Sequence, residues 1–273
     1  TFFGREKENL VFPISLANLV LHGIDRPNLW HGNALTKRAT YTALFEQAPK
    51  QFNVILTNPP FGGKEGKDAQ KNFPFETSAT QVLFLQDVLA ELATGGTCAM
   101  VLDEGLLFRT NESAFVETKR KLVDECDLWA IVSLPGGVFS TAGAGVKTNL
   151  LFFTKGAPTE AVWYYEHPYP PGVKNYNKTK PIRIEEFDAE KAWWGSEADG
   201  FASRTENERA WKVGIEQIKA AGYNLDQKNP HAADAVSHNP DQLLADYARL
   251  QGEAQALRDE LKEILAQSLA SPR

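Results

Sequence analysis

Apolar and polar residues fall into blocks along the chain, and each block has the length and spacing of a particular element. Across residues 8–22 the apolar positions Leu10, Val11, Ile14, Ala17, Leu19, Val20 and Leu21 suit a helix. Pro13 must then sit in its first turns, and Gly23 is a natural stop. Phe52–Thr57 is a short apolar run that closes on Asn58-Pro59-Pro60-Phe61, which predicts a buried strand ending in a rigid loop. Helical spacing returns over residues 80–93 in Val82, Leu83, Leu85, Val88, Leu89 and Leu92, and Gly95-Gly96 is expected to break that helix. Residues 97–102 predict the next buried strand, Ser113–Glu125 a helix, and residues 128–134 and 148–153 two further strands. Alternation of this kind predicts a doubly wound α/β sheet with ligands at the carboxyl ends of its strands.

Past Lys155 the texture changes. Aromatic and proline-rich segments such as Trp163-Tyr164-Tyr165 and His167-Pro168-Tyr169-Pro170-Pro171-Gly172 give way to polar stretches at 196–209. The chain therefore divides into a core at 1–155, a peripheral appendage at 156–238 and a terminal helix at 239–273. In the last segment Asn239 can cap, Pro240 suits the first helical position and Gln242 completes a capping-box spacing. Leu243, Tyr247, Leu250, Ala254, Leu257, Leu261 and Ile264 then step by four and three alternately, the seam of a coiled coil over about three heptads. Such a seam packs either on its own domain or on the helices of another subunit.

Composition narrows the class. With 42% hydrophobic residues, 16 Phe and 6 Trp the chain can build a real core, so one or two globular domains are expected. Its 29 basic and 35 acidic side chains leave a formal charge of -6, whereas a protein that grips nucleic acid alone carries a basic excess or stripe. If it works on DNA, another component supplies much of the grip. Cys98 and Cys126 lie far apart and outside any C-x-x-C spacing, so neither a disulfide framework nor a zinc site is expected, and a reduced cytosol fits. The longest apolar runs, such as residues 149–153, are far below the roughly 18–20 residues of a membrane span, and no signal peptide is visible, so a cytoplasmic chain is expected. The chain opens at Thr1 in mid-pattern, and its single methionine, Met100, cannot initiate what precedes it, so a fragment is expected.

Asn58-Pro59-Pro60-Phe61, directly after an apolar strand, is the most specific chemical feature. An exocyclic adenine amine is a poor nucleophile because its lone pair is delocalised into the ring. A catalyst must draw both N–H bonds toward acceptors and aim the lone pair at an electrophilic methyl group. Asn58 offers an amide oxygen, Pro59 a carbonyl on a chain whose φ is locked, and Pro60 stiffens the next step. Phe61 can stack on the base, which must leave the duplex before its amine is reachable, at a cost of a few kcal/mol. Stacking returns roughly 1–3 kcal/mol per base. The same four residues could also be nothing more than a tight loop.

Around this motif nearly the whole chain resembles, in several separate pieces, the N6-adenine methyltransferase subunit of type I restriction-modification systems. The resemblance implies a Rossmann-like methyltransferase sheet, incomplete at its N-terminal side, with a C-terminal helical tail. It implies S-adenosylmethionine as cofactor and no metal. In the family a Gly-x-Glu after the second strand holds the cofactor's ribose hydroxyls, and Gly4-Arg5-Glu6 stands at the matching place, making Glu6 the ribose ligand. Residues 18–24 resemble the helix leading to the third strand, after which the family uses an Asp on the cofactor's adenine. The matching position is Asn33, a departure that still leaves a side chain able to bond an adenine edge, with Leu35 as its packing neighbour. Residues 134–139 and 145–153 resemble the stretch lining the target-base pocket, which makes Phe139 either the opposite wall of a base sandwich or an ordinary core phenylalanine. Residues 210–213 and 222–226 resemble the region before the terminal helix. The family's glycine-rich cofactor loop has no counterpart among Phe61-Gly62-Gly63-Lys64, Gly95-Gly96 or Gly143-Ala144-Gly145, and is expected upstream of Thr1.

The resemblance also implies partners: DNA, a specificity subunit that reads its sequence and docks on the terminal helix, and in addition a restriction subunit and a second modification subunit. Gly63-Lys64 and Gly145-Val146-Lys147-Thr148 do not have phosphate-loop spacing, which argues against a nucleoside-triphosphate hydrolase. Asn-Pro-Pro followed by an aromatic also serves enzymes that modify protein glutamine or RNA adenine. An inactive scaffold that only assembles a complex remains the non-enzymatic alternative.

Overall fold

A computed structural model of the chain describes residues 1–36, 38–39, 49–140, 146–231 and 240–270. Residues 1–231 form one compact unit and residues 232–273 a second. In the first unit, β1 (Phe3–Glu6) leads into helix α1 (Val11–Leu21) and then β2 (Asn28–Asn33), which lies parallel to β1. The two residues of β3 (Arg38–Ala39) pair antiparallel with the end of β2. Pro13 sits in the first turn of α1, where its missing N–H costs nothing. The helix stops where expected, with Gly23 at φ 82° and the Ile24 amide donating back to the Leu19 carbonyl at 3.0 Å.

A six-stranded sheet follows, in the order β4-β5-β7-β6-β8-β9. Its strands are β4 (Phe52–Thr57), β5 (Leu92–Asp103), β6 (Cys126–Ser133), β7 (Thr148–Lys155), β8 (Ala161–Glu166) and β9 (Ala210–Gly214). β4 runs parallel to β5 and β6 to β8, but β7 enters antiparallel between β5 and β6, so the sheet is mixed. The short helix α2 (Lys67–Gln70) and then α3 (Thr80–Glu91) connect β4 to β5, and α4 (Glu104–Phe108) and α5 (Ser113–Glu125) connect β5 to β6. α3 and α5 bury Val82, Leu85, Leu89, Phe115 and Leu122 against Met100, Leu128, Leu151 and Phe153 of the sheet. Residues 156–231 supply β8 and β9 and cover other parts of the sheet with aromatic side chains, Trp193 and Trp194 among them. They include α6 (Asp188–Trp193) and α7 (Ile215–Ala220). Arg204 ties this layer down: it is buried, it donates to the Trp194 and Trp129 carbonyls at 2.7 and 3.1 Å, and its guanidinium lies 3.6 Å from the Phe201 ring centroid.

Two expectations need correcting. The strand before Asn58 is not buried: β4 is an edge strand, with Val54 63% and Leu56 75% exposed. Helix α1 forms as expected, with Phe12, Leu16 and Leu19 half-buried and no residue fully buried. Gly95-Gly96 does not break α3, which ends at Glu91; both glycines lie within β5. The pairing of β4 with β5 shifts register there, from Phe52 opposite Leu92 to Val54 opposite Thr97. A Cβ on Gly96 would lie 2.9 Å from the Ala93 carbonyl oxygen and 3.0 Å from that of Asn53, so the glycine permits the irregularity.

The second unit contains α8 (Pro240–Ala270), a single helix of 31 residues, and Leu243, Tyr247, Leu250, Leu257, Leu261 and Ile264 along its seam are exposed. Asn239 lies outside the described residues. Among the described residues no helix is long and apolar enough to cross a membrane.

One core residue gives a pH-dependent prediction. Lys119 is fully buried with no carboxylate partner; its ammonium donates to the Leu107 and Arg109 carbonyls at 2.8 and 2.7 Å. Burial pulls its pKa down to about 8. The unfolded chain, with an ordinary lysine pKa, then binds more protons than the folded one above pH 8, so this group adds stability as pH rises from about 8 toward the unfolded value. A neutral amine keeps two N–H groups, enough for both carbonyls. Lys119→Met should cost about 1–3 kcal/mol in urea unfolding near neutral pH, because it leaves a part-buried carbonyl unpaired. It should also remove this part of the alkaline rise, and an unchanged profile would show that Lys119 does not titrate in the fold.

Candidate active site

The parallel strands carry their chemistry at one kind of place. Glu6 is the last residue of β1, Asn33 the last of β2, and Asn58 follows the last residue of β4. All three are carboxyl ends, where loops leave the sheet and ligands collect. They line one cavity of about 810 Å³ together with Pro59, Pro60, Phe61 and Phe139. Small-molecule sites fall in the range of about 300–1,000 Å³.

Each residue is held by local structure. One carboxylate oxygen of Glu6 accepts from the Glu8 amide at 2.7 Å, which turns the chain out of β1 and leaves the other oxygen available. Beside it Arg5 donates to Glu91 at 2.8 Å and ties β1 to the end of α3. The Asn33 side-chain oxygen accepts from the Leu35 amide at 2.9 Å, so its NH₂ remains the free end. Leu35 is buried with Ala69, Phe73 and Leu83, the packing role expected of it. Among the described residues neither the Asn58 amide nor the Pro59 carbonyl has an internal hydrogen-bond partner. Pro59 itself is buried, which fixes the carbonyl on a chain that cannot swing.

The two aromatic walls touch. Phe61 and Phe139 meet edge to face with ring centroids 4.9 Å apart. Phe139 follows a turn pinned from outside the sheet: Tyr169 donates to the Gly136 carbonyl at 2.8 Å, and Gly137 has φ 86°. A Cβ on Gly137 would fall 2.2 Å from the Asn175 side-chain oxygen, so only glycine lets the 168–176 stretch approach.

Val146, in the stretch that resembled the pocket lining, also faces the cavity, as do Glu65 and Phe84, which were not legible in the sequence. Phe84 sits inside an apolar helix where an aromatic side chain reads as core. Glu65 lies in a polar run whose path depends on an isolated antiparallel bridge between Lys64 and Ala79. The segments at 210–213 and 222–226 do not reach the cavity; Trp211, Val213 and Leu225 are buried in the main core. Among the described residues no group of three or more His, Cys, Asp or Glu side chains could hold a metal ion.

Known proteins resemble the chain along most of its length. A family model for N-6 DNA methylases matches residues 1–239. The chain is 50% identical over 271 residues to the type I restriction enzyme EcoEI methylase subunit of Escherichia coli, covering 98% of this chain and 54% of that protein. It is 33% identical over 229 residues to the EcoKI methylase subunit of E. coli strain K12, covering 81% and 41%. Among solved structures, a chain of a type I restriction-modification complex superposes with TM-score 0.77 at 37% identity, covering 98% of this chain and 55% of that one. The EcoKI M protein superposes with TM-score 0.71 at 28% identity, covering 99% and 60%. The chain thus spans about half the length of the curated relatives it matches. On the match over most of its length, the chain belongs to the N-6 DNA methylase family.

Proposed function

We propose that this chain forms the catalytic part of an adenine-N6 DNA methyltransferase subunit in a type I restriction-modification system. The observation that carries the reading is the convergence of Glu6, Asn33 and the Asn58-Pro59-Pro60-Phe61 turn on one cavity at the ends of three strands. In this reading Glu6 accepts from the ribose hydroxyls of S-adenosylmethionine and the Asn33 amide bonds the edge of its adenine. The cofactor supplies, when bound, a methyl group on a positively charged sulfur.

The chain's own residues prepare the acceptor. The Asn58 amide oxygen and the Pro59 carbonyl take the two N–H bonds of the target amine, which pulls the nitrogen toward tetrahedral geometry and frees its lone pair. Among the described residues both oxygens are without partners, so no hydrogen bond there has to break. Phe61 and Phe139 stack on the two faces of the displaced base. Two ring contacts at about 3.5 Å each need centroids roughly 7 Å apart, so the present contact at 4.9 Å must open as the base enters. Once the methyl group has moved, the surplus N6 proton leaves past the same oxygens to water.

A chain of net charge -6 suits delegation of sequence reading to a specificity subunit. The restriction subunit and a second modification subunit would join the same assembly. The test is product identity. The complete assembly, with this chain in its full-length subunit, is given DNA and methyl-labelled S-adenosylmethionine, and the DNA is digested to nucleosides. Label in N6-methyldeoxyadenosine is expected. Label in methylated cytosine, or on RNA or protein glutamine instead of DNA, would overturn the reading.

A further inference from the structure

The turn that carries Phe61 continues into a basic ledge. Gly62 and Gly63 both have positive φ, 68° and 88°, and swing the chain back toward the start of α3, where a Cβ on Gly63 would meet the Thr80 hydroxyl at 3.0 Å. The ledge is then fixed in three ways. Lys64 bridges Ala79, the Glu65 amide donates to the Ser78 carbonyl at 2.8 Å, and the Gln70 side chain donates to the Glu65 carbonyl at 2.7 Å. Beneath it Ala69 is buried against Leu35, Phe73 and Leu83. On this fixed base Lys64 and Lys67 are exposed, and among the described residues neither has an ion pair or a side-chain hydrogen bond. Some basic side chains elsewhere are paired, Lys121 with Glu125 and Lys219 with Glu216 among them. Two unpaired lysines on the stretch that leaves Phe61, three and six residues beyond it in an acidic chain, are available to a polyanion.

We propose that Lys64 and Lys67 form a phosphate-binding lip that holds the DNA backbone next to the displaced adenine. The inference rests on the base-displacement reading above. A base that swings out drags its sugar and phosphates to the mouth of the cavity, and two unpaired ammonium groups on the chain just beyond Phe61 would anchor them as point charges. Their release of condensed counterions makes the contribution measurable through salt.

The experiment compares DNA binding by the complete assembly, wild type and K64Q/K67Q, across salt concentrations, with steady-state methylation on the same preparations. The double variant should bind about tenfold or more weakly at physiological salt, and its log–log salt slope should be shallower by about 1.8, two contacts at roughly 0.9 each. Its kcat at saturating DNA should stay within twofold of wild type. K64R/K67R should restore the wild-type slope, and K121Q, in an ion pair on α5, should leave it unchanged. A double-variant slope equal to wild type would overturn the proposal, and so would an equal loss in K121Q. A fall in kcat with no change in slope would make the ledge a support for Phe61 and also overturn it. Because the slope reads binding and not transfer, a wild-type assembly that methylates no adenine would sink the catalytic reading while leaving the lip to be judged on its slope.

Discussion

Replacing Asn58 by alanine in the full-length subunit is expected to lower methyl transfer by at least 10²–10³-fold, roughly the effect of removing one preorganised group from a developing charge. The size follows from geometry. Of the two oxygens offered to the target amine, only the Pro59 carbonyl would remain, and one acceptor cannot draw both N–H bonds out of the ring plane. The fold should not notice the change. Asn58 makes no internal hydrogen bond and lies at the cavity wall, so thermal stability and co-purification with partner subunits should match wild type. Single-turnover transfer, with assembly checked on the same sample, separates the outcomes. Activity within tenfold of wild type would remove Asn58 from the chemistry and leave the turn as a structural loop. Loss of both activity and assembly would show that the turn is needed for the fold, contrary to its exposed, unpartnered side chain.

How far the sequence could be read depended on whether a signal was local. Ser113–Glu125 is helical from end to end as expected, because its apolar positions Phe115, Leu122 and Val123 face the sheet and its charges, the buried Lys119 apart, lie toward water. The strand at 128–134 is offset by one or two residues, since Cys126 and Asp127 already pair with β7. Gly95-Gly96 misled because two glycines punctuate a helix and a bulged strand equally well; only the carbonyls of Asn53 and Ala93 decide between them. The covering of β4 could not be read at all. Its short apolar run reads as buried, yet burial depends on what lies across Val54 and Leu56 and not on the strand itself. At the site, Asn58 could be read from the apolar run before it, whereas Glu6 and Asn33 rested on the family resemblance; in the structure all three stand at the carboxyl ends of strands. Glu65 and Phe84 were not legible, since their places are set by the Lys64–Ala79 bridge and by which side of α3 faces the cavity. The buried pair His167 and Glu190, with the imidazole stacked on Phe187, was equally invisible, for its members are 23 residues apart on different elements.

Truncation before Pro240 should abolish co-purification with the specificity subunit while leaving residues 1–231 folded. The seam of α8 is regular enough to specify a helical partner: Leu243, Tyr247, Leu250, Leu257, Leu261 and Ile264 recur at heptad spacing, and all are exposed. Burying a large aliphatic side chain is worth about 1.5–3 kcal/mol. Half a dozen of them are therefore enough to hold a complex after the entropy of association is met. The first compact unit ends at His231 and has its own core in α3, α5 and the sheet, so its unfolding transition should survive the cut. A finer variant tests the seam without deleting the helix: L250E/L257E places two charges in the stripe and should release the partner while the chain keeps its helicity by circular dichroism. Unchanged co-purification in both variants would sink the docking role. A truncated chain with a lowered melting temperature would instead mean that the seam serves its own domain, the second use open to any exposed heptad stripe.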